Sequence, residues 1–154
     1  MIRLGEAPLP GVSYRDRPGA YALIVRGDRA LLTLEHSKFG LEIALPGGGV
    51  DPGETPLRAL HREVMEETGW RIAPLRRLGA YQRYCYLPEY AFYARKICHI
   101  YLARPTQRLG DPIEPHHDAV WVPADLVPDM VTSPADGPFL APQVQQIART
   151  RPRG

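Results

Sequence analysis

Gly48 to Trp70 reads G-G-V-D-P-G-E-T-P-L-R-A-L-H-R-E-V-M-E-E-T-G-W, a glycine-rich loop running into a helix on which Glu63, Glu66 and Glu67 fall together. Positions three and four apart are neighbours on a helix, so Glu63 opposes both other acids at about 0.2–0.5 kcal/mol per pair. Gly69 caps the helix, which puts the acids near the negative end of the macrodipole, where cations are favoured. A divalent cation removes both penalties. An all-oxygen donor set selects a hard ion, Mg²⁺ or Mn²⁺, that keeps part of its water shell for a phosphate substrate.

The competing reading, a solvated acidic face, conflicts with the helical projection. Leu57, Leu60, Val64 and Thr68 form an apolar stripe, and the three acids span an arc of about 100° that begins beside Leu60. Glu67 is expected at the edge of the core, where a partly desolvated carboxylate needs Arg or a metal as partner. The helix is otherwise well specified: Thr55 as N-cap, Pro56 at the first position, and no breaker from Leu57 to Glu67. Leu45-Pro46-Gly47-Gly48-Gly49 is expected to be a loop that brings backbone groups up to a metal and phosphate. It has neither the Gly-Lys-Ser/Thr ending of a P-loop nor the G-x-G-x-x-G spacing of a dinucleotide fold.

Gly48, Glu54 and the run Arg62-Glu63-Val64-Met65-Glu66-Glu67-Thr68-Gly69-Trp70 together resemble the Nudix box, G-x5-E-x7-R-E-U-x-E-E-x-G-U with U bulky and apolar. Trp70 stands where aliphatic residues are more usual. The resemblance implies an α/β/α sandwich with a mixed sheet, formed as one domain over residues 1–154, that hydrolyses a nucleoside diphosphate linked to another group with Mg²⁺ or Mn²⁺ as cofactor. Position by position, it implies Glu63, Glu66, Glu67 and the Gly47 carbonyl as metal ligands. Gly48, Glu54 and Arg62 become structural supports, the last two as a salt bridge tying loop to helix, since the planar fork of Arg can grip both carboxylate oxygens. The nucleophile is then a water whose proton passes to a carboxylate: Glu63 or Glu66 in the box, or Glu114 in the loop before Trp121, rather than His116 or His117. No covalent nucleophile is indicated.

With 154 residues, 44% of them hydrophobic, the chain can build one core but not two. A net charge of +2 indicates no polyanion-binding surface. The expected partner is therefore a small nucleotide, with no polymeric nucleic acid and no membrane, and a homodimer is left open. No export signal or long apolar stretch is present, so the cytoplasm is the expected compartment and Cys85 and Cys98 are read as reduced packing residues.

Strands are expected at Tyr21–Arg26, Ala30–Glu35, Leu41–Leu45, Leu78–Leu87, Ala91–Ala103 and Ala119–Val122. A loop is expected over Gln107–His117 and a final helix over Leu140–Arg149 with Pro142 in its first turn. Tyr84, Tyr86, Tyr90, Phe92 and Tyr93 read as a half-buried strand face or as a base-stacking platform. Arg83, Arg95 and Lys96 among them read as solvated or as phosphate contacts.

A nucleoside triphosphate, including oxidised ones, is the expected substrate, because no long N-terminal segment of the kind that suggests an ADP-ribose enzyme precedes the domain. ADP-ribose, dinucleoside polyphosphates and nucleotide sugars are the alternatives. So are a regulator that binds a nucleotide without cleaving it and an acidic interaction face.

Overall fold

The computed structural model describes residues 1–150. Its strands are β1 (Ile2–Arg3), β2 (Arg15–Arg26), β3 (Arg29–Ser37), β4 (Gly40–Ala44), β5 (Gly47–Gly49), β6 (Trp70–Leu87), β7 (Phe92–Arg108) and β8 (His117–Pro123). Its α-helices are α1 (Pro56–Thr68), α2 (Val127–Met130) and α3 (Asp136–Thr150). Strands β1, β6, β7, β2 and β5 lie side by side, and β4, β3 and β8 form a second group joined to them through the β2–β3 hairpin. Parallel pairs (β1–β6, β2–β7) and antiparallel pairs coexist, so the sheet is mixed.

Strand β2 runs through the centre because both its faces are apolar, and alternation sends them to opposite layers. Ala20, Ala22 and Ile24 meet Leu60 and Val64 of α1. Tyr21 and Leu23 turn to the other side, where Leu140 and Val144 of α3 close over Tyr81, Cys98 and Ile100. The result is the expected α/β/α sandwich. Among the described residues no helix is long and apolar enough to cross a membrane.

Several expected boundaries shift, each for a local reason. Gly47–Gly49 is not a loop but strand β5, paired antiparallel to β2; glycines carry no side-chain pattern by which a strand could be read. Strand β6 begins at Trp70 rather than Leu78, and its Pro74 and Gly79 are absorbed by register shifts at Pro74/Arg76 and Arg77/Gly79. Strand β2 begins at Arg15 despite Pro18. That residue lies just beyond the three β5 pairs, where the Val50 N–H still donates to its carbonyl. β7 extends to Arg108 and β8 starts at His117, which shortens the expected loop between them. Pro142 lies inside α3, which starts at Asp136. Leu57, assigned to the apolar stripe, is 43% exposed, and Ala59 is buried instead.

Candidate active site

Helix α1 is capped as its sequence requires. The Arg58 N–H donates to Thr55 Oγ1, and Gly69, at φ 74°, returns its N–H to the Met65 carbonyl. This fixes the azimuth of the acids. Glu67 is 8% exposed, and its Oε1 accepts the Gly47 N–H at 3.1 Å. That bond is available because Gly47 falls between ladder bonds: Ala22 N–H donates to the Pro46 carbonyl on one side, and Val50 N–H to Pro18 on the other. By the alternation of an antiparallel pair, the Gly47 N–H and C=O then turn away from β2 and toward Glu67.

Glycine is needed twice here. Gly47 has φ 147°, and a Cβ on it would lie 2.1 Å from the Ala20 carbonyl oxygen. A Cβ on Gly48 would lie 2.5 Å from the Glu63 carboxyl carbon, so its absence lets that carboxylate rest against β5.

Arg62 organises the loop and the acids together. Its Nε and Nη2 donate to the two oxygens of Glu54 at 2.9 and 2.8 Å, and Nη2 also reaches the Gly49 carbonyl at 3.0 Å. Nη1 donates to Glu63 Oε1 at 2.9 Å and stands 3.5 Å from Glu66 Oε2. The geometry thus contains the expected Glu54–Arg62 bridge and adds two box acids and Asp51, 3.4 Å away, to it. Glu54 is pulled down to about 2, first by the Arg62 hydrogen bonds and then by the Asp51 N–H. Arg62 is held well above its ordinary value by the same carboxylate.

The other acids move the opposite way. Burial raises Glu63, with Arg62 opposing and Glu66 reinforcing the shift. Burial pushes Glu67 up to about 9; the Gly47 N–H opposes this, and the charges of Glu63, Glu35 and Glu114 add to it. Several anions thus surround a buried carboxylate whose own hydrogen bonding does not balance it. That is the field a cation would relieve. The donors, carboxylates and a backbone carbonyl, are hard oxygens suited to Mg²⁺ or Mn²⁺. Among the described residues no three acidic, imidazole or thiol side chains converge on one point, because Arg62 holds Glu63 and Glu66. The donor chemistry fits the ion, with Glu67 and Gly47 the pair already adjacent.

Glu114 is brought to this end of the helix. Its N–H and that of Ile113 both donate to the Glu66 carbonyl, at 3.0 and 2.8 Å, which hangs the loop on the last turn of α1. His116 is exposed, at φ 65°. His117 is not: its Nε2 lies 3.5 Å from Glu35 Oε2 and 3.8 Å from Glu67 Oε2, while Nδ1 faces the Pro115 carbonyl at 3.2 Å. The sequence reading did not single out Glu35 or this pairing. A partial signal existed, because His117 alternates with Ala119 and Trp121, which pack on the α1 side.

Beside Glu67 and β5 opens a cleft of about 210 Å³ bordered by Arg17, Tyr21, Glu35, Tyr90, Lys96 and His117. The tyrosines divide between the two readings made of them. On the opposite face Tyr84 and Tyr93 pack against Tyr14, and Tyr86 against Tyr93, ring centroids 4.9–5.6 Å apart. Tyr90 borders the cleft, beneath the Arg17 guanidinium at 4.9 Å. Arg95 pairs with Asp16 at 2.8 Å and is thereby removed from the site. Cys85 and Cys98 are unpaired thiols.

The NUDIX domain family matches residues 15–142. The chain is 31% identical over 143 residues to a Streptomyces rubellomurinus protein named CMP-5'-(N-acetyl-N-hydroxy-3-aminopropyl)phosphonate hydrolase, covering 86% of this chain and 66% of that one. It is 38% identical over 65 residues to a Bacillus subtilis protein named "Putative 8-oxo-dGTP diphosphatase", covering 42% of this chain and 43% of that one. The matches thus span less than two thirds of either curated relative. Among solved structures, a MutT NUDIX hydrolase from Burkholderia pseudomallei superposes with TM-score 0.63 at 26% identity, covering 81% of this chain and 96% of that one. A NUDIX hydrolase from Nitrosomonas europaea gives TM-score 0.66 at 20% identity, covering 88% and 89%.

Proposed function

The chain belongs to the NUDIX family, and on that premise we propose that it is a metal-dependent pyrophosphohydrolase acting on a nucleoside triphosphate, oxidised guanine nucleotides included. The observation that carries the reading is the buried Glu67 carboxylate, set against Gly47 and beside the open cleft in a complete box. Gly47, Glu63, Glu66 and Glu67 would hold Mg²⁺ or Mn²⁺. When bound, the ion acidifies water and neutralises charge on the phosphoryl oxygens.

The chain's own residues do the rest. The side-chain-free backbone of β5 lets phosphate oxygens approach closely. Arg62 keeps that strand and the acids in one frame, which turns binding into correct alignment. Glu63, Glu66 or Glu114 accepts the proton of the attacking water, the last from a loop anchored on the Glu66 carbonyl. His117 Nε2 stands between Glu35 and Glu67, 3.5 and 3.8 Å from their carboxylates, and closes that side of the site.

The Bacillus subtilis relative, named for 8-oxo-dGTP, supports the oxidised-nucleotide reading. A second reading is a nucleoside monophosphate joined to a non-nucleotide group, as in the Streptomyces relative's name, and the longer extent of that match favours it. Purified protein is to be assayed against nucleoside triphosphates, 8-oxo-dGTP, ADP-ribose, dinucleoside polyphosphates and nucleotide sugars, with Mg²⁺, Mn²⁺ or chelator. Metal-dependent release of pyrophosphate from a triphosphate is the expected result. Turnover confined to nucleotides bearing a non-nucleotide group would select the second reading, and no turnover with any of them would end both.

A further inference from the structure

A second costly charge arrangement lies on the sheet, outside the box. The registers set Arg17 of β2 opposite Lys96 of β7, and Lys96 opposite Arg83 of β6. Directly opposed residues share a face, and neighbouring strands lie about 4.8 Å apart, so three cations form a row about 10 Å long. Like charges directly opposite destabilise a sheet. Among the described salt bridges none involves these three, although Glu35, Glu42 and Glu89 stand around the same space. Arg95, one residue before Lys96 and on the opposite face, shows the ordinary solution, with both oxygens of Asp16 within 3.0 Å.

The row also has a direction. Arg17 Nη2 lies 3.9 Å from where a Gly49 Cβ would stand, at the box end. Lys96 borders both the cleft beside Glu67 and a neighbouring one, and Arg83 borders only the neighbour. The two clefts share Lys96 together with Glu35, Glu42, Leu87 and Glu89, and run from β5 outward. Arg17 lies over the Tyr90 and Phe92 rings and Lys96 over the Tyr21 ring, but no described carboxylate reaches ion-pair distance of any of the three cations. An anion seated among them would give them the charged partner that a neutral nucleobase would not.

We propose that Arg17, Lys96 and Arg83 bind a second anionic group of the substrate, carried beyond the scissile diphosphate, so that the preferred substrate is a nucleotide with a further phosphate. This rests on the hydrolase reading above. The added phosphate has two sources, a longer polyphosphate chain or a phosphoester on the sugar.

The test compares KM for GTP, guanosine 5'-tetraphosphate and guanosine 3'-phosphate 5'-triphosphate in the wild type, Lys96→Met, Arg83→Met and, as an exposed control on β6, Arg71→Met. The wild type is expected to show about a tenfold lower KM for one extended compound than for GTP, as charged hydrogen bonds would produce. That compound identifies the source. The ratio should fall to about one in Lys96→Met and Arg83→Met and persist in Arg71→Met. Equal KM values for all three nucleotides in the wild type, or a uniform rise in the variants, would overturn the proposal. Arg83→Met alone decides it should Lys96→Met fail to fold. Should the wild type hydrolyse none of them, calorimetric titration with the same three nucleotides reads the same ratio from Kd. A preference lost in Arg83→Met would then keep the anion site while the hydrolase reading falls, and equal affinities would end both.

Discussion

Glu67 follows Leu60 by seven residues and Val64 by three, a spacing that turns its carboxylate toward the buried face of α1. Burial and the surrounding anions then favour its neutral form, so the fold maintains this charge at a cost unless a cation offsets it. Glu67→Gln keeps the shape and can still accept the Gly47 N–H, but removes the charge. The expected outcome is a loss of about 10–100-fold in kcat at limiting Mg²⁺, with the melting temperature of the metal-free protein unchanged or higher. Turnover and thermal melts of the same preparation check both halves, and an undiminished rate would remove Glu67 from the site. The position of Glu67 was legible because helical periodicity is local. That of Glu35 was not, since a lone acid on a strand looks like any other until β8 brings His117 to it.

At the scale of elements, β5 and α1 act as one unit through Arg62. Because Arg62 also binds Glu63 and the Gly49 carbonyl, Arg62→Ala should lower kcat/KM and stability more than Glu54→Ala, which removes one partner only. A double-mutant cycle should give non-zero coupling between the two positions; additive effects would mean that the bridge does not act in solution. The glycines separate stability from activity. Gly47→Ala drives a Cβ into the β2 backbone, which cannot yield, and should destabilise by about 1–3 kcal/mol. Gly48→Ala meets only the end of the Glu63 side chain, which can swing away, so activity should fall far more than stability. Denaturant melts with assays on both variants distinguish these outcomes. Helix α1 could be read from its caps and stripe, whereas β5 could not, because its pairing is set by how closely β2 can approach rather than by any side chain of its own.

Across the whole molecule, α3 is fastened to the sheet by a part-buried polar contact, the Tyr81 hydroxyl donating to Asp136. Burial, with a smaller addition from Glu42, pushes Asp136 from 3.8 up to about 7. Because the folded pKa exceeds the unfolded one, the folded state holds the proton more tightly. The associated stability is fully present below about pH 4 and is lost as pH rises to about 7. Asp136→Asn should therefore stabilise the protein at pH 8 by on the order of 2 kcal/mol and change it little at pH 4. The full shift is discounted because the Tyr81 hydroxyl favours the charged form. Chemical denaturation at both pH values checks this, and an equal effect at both would remove the titration. The sequence alone determined the box helix, its caps and the inward edge of its acids, because capping chemistry and a 3.6-residue period act within one segment. Only the tertiary structure decided the extent of β2, β6 and β7, the pairing of the triple glycine, and the meeting of Arg17, Lys96 and Arg83. Strand register is a relation between separate segments, Arg17 and Lys96 lying 79 residues apart in the chain, and no local pattern encodes which side chains it will set opposite one another.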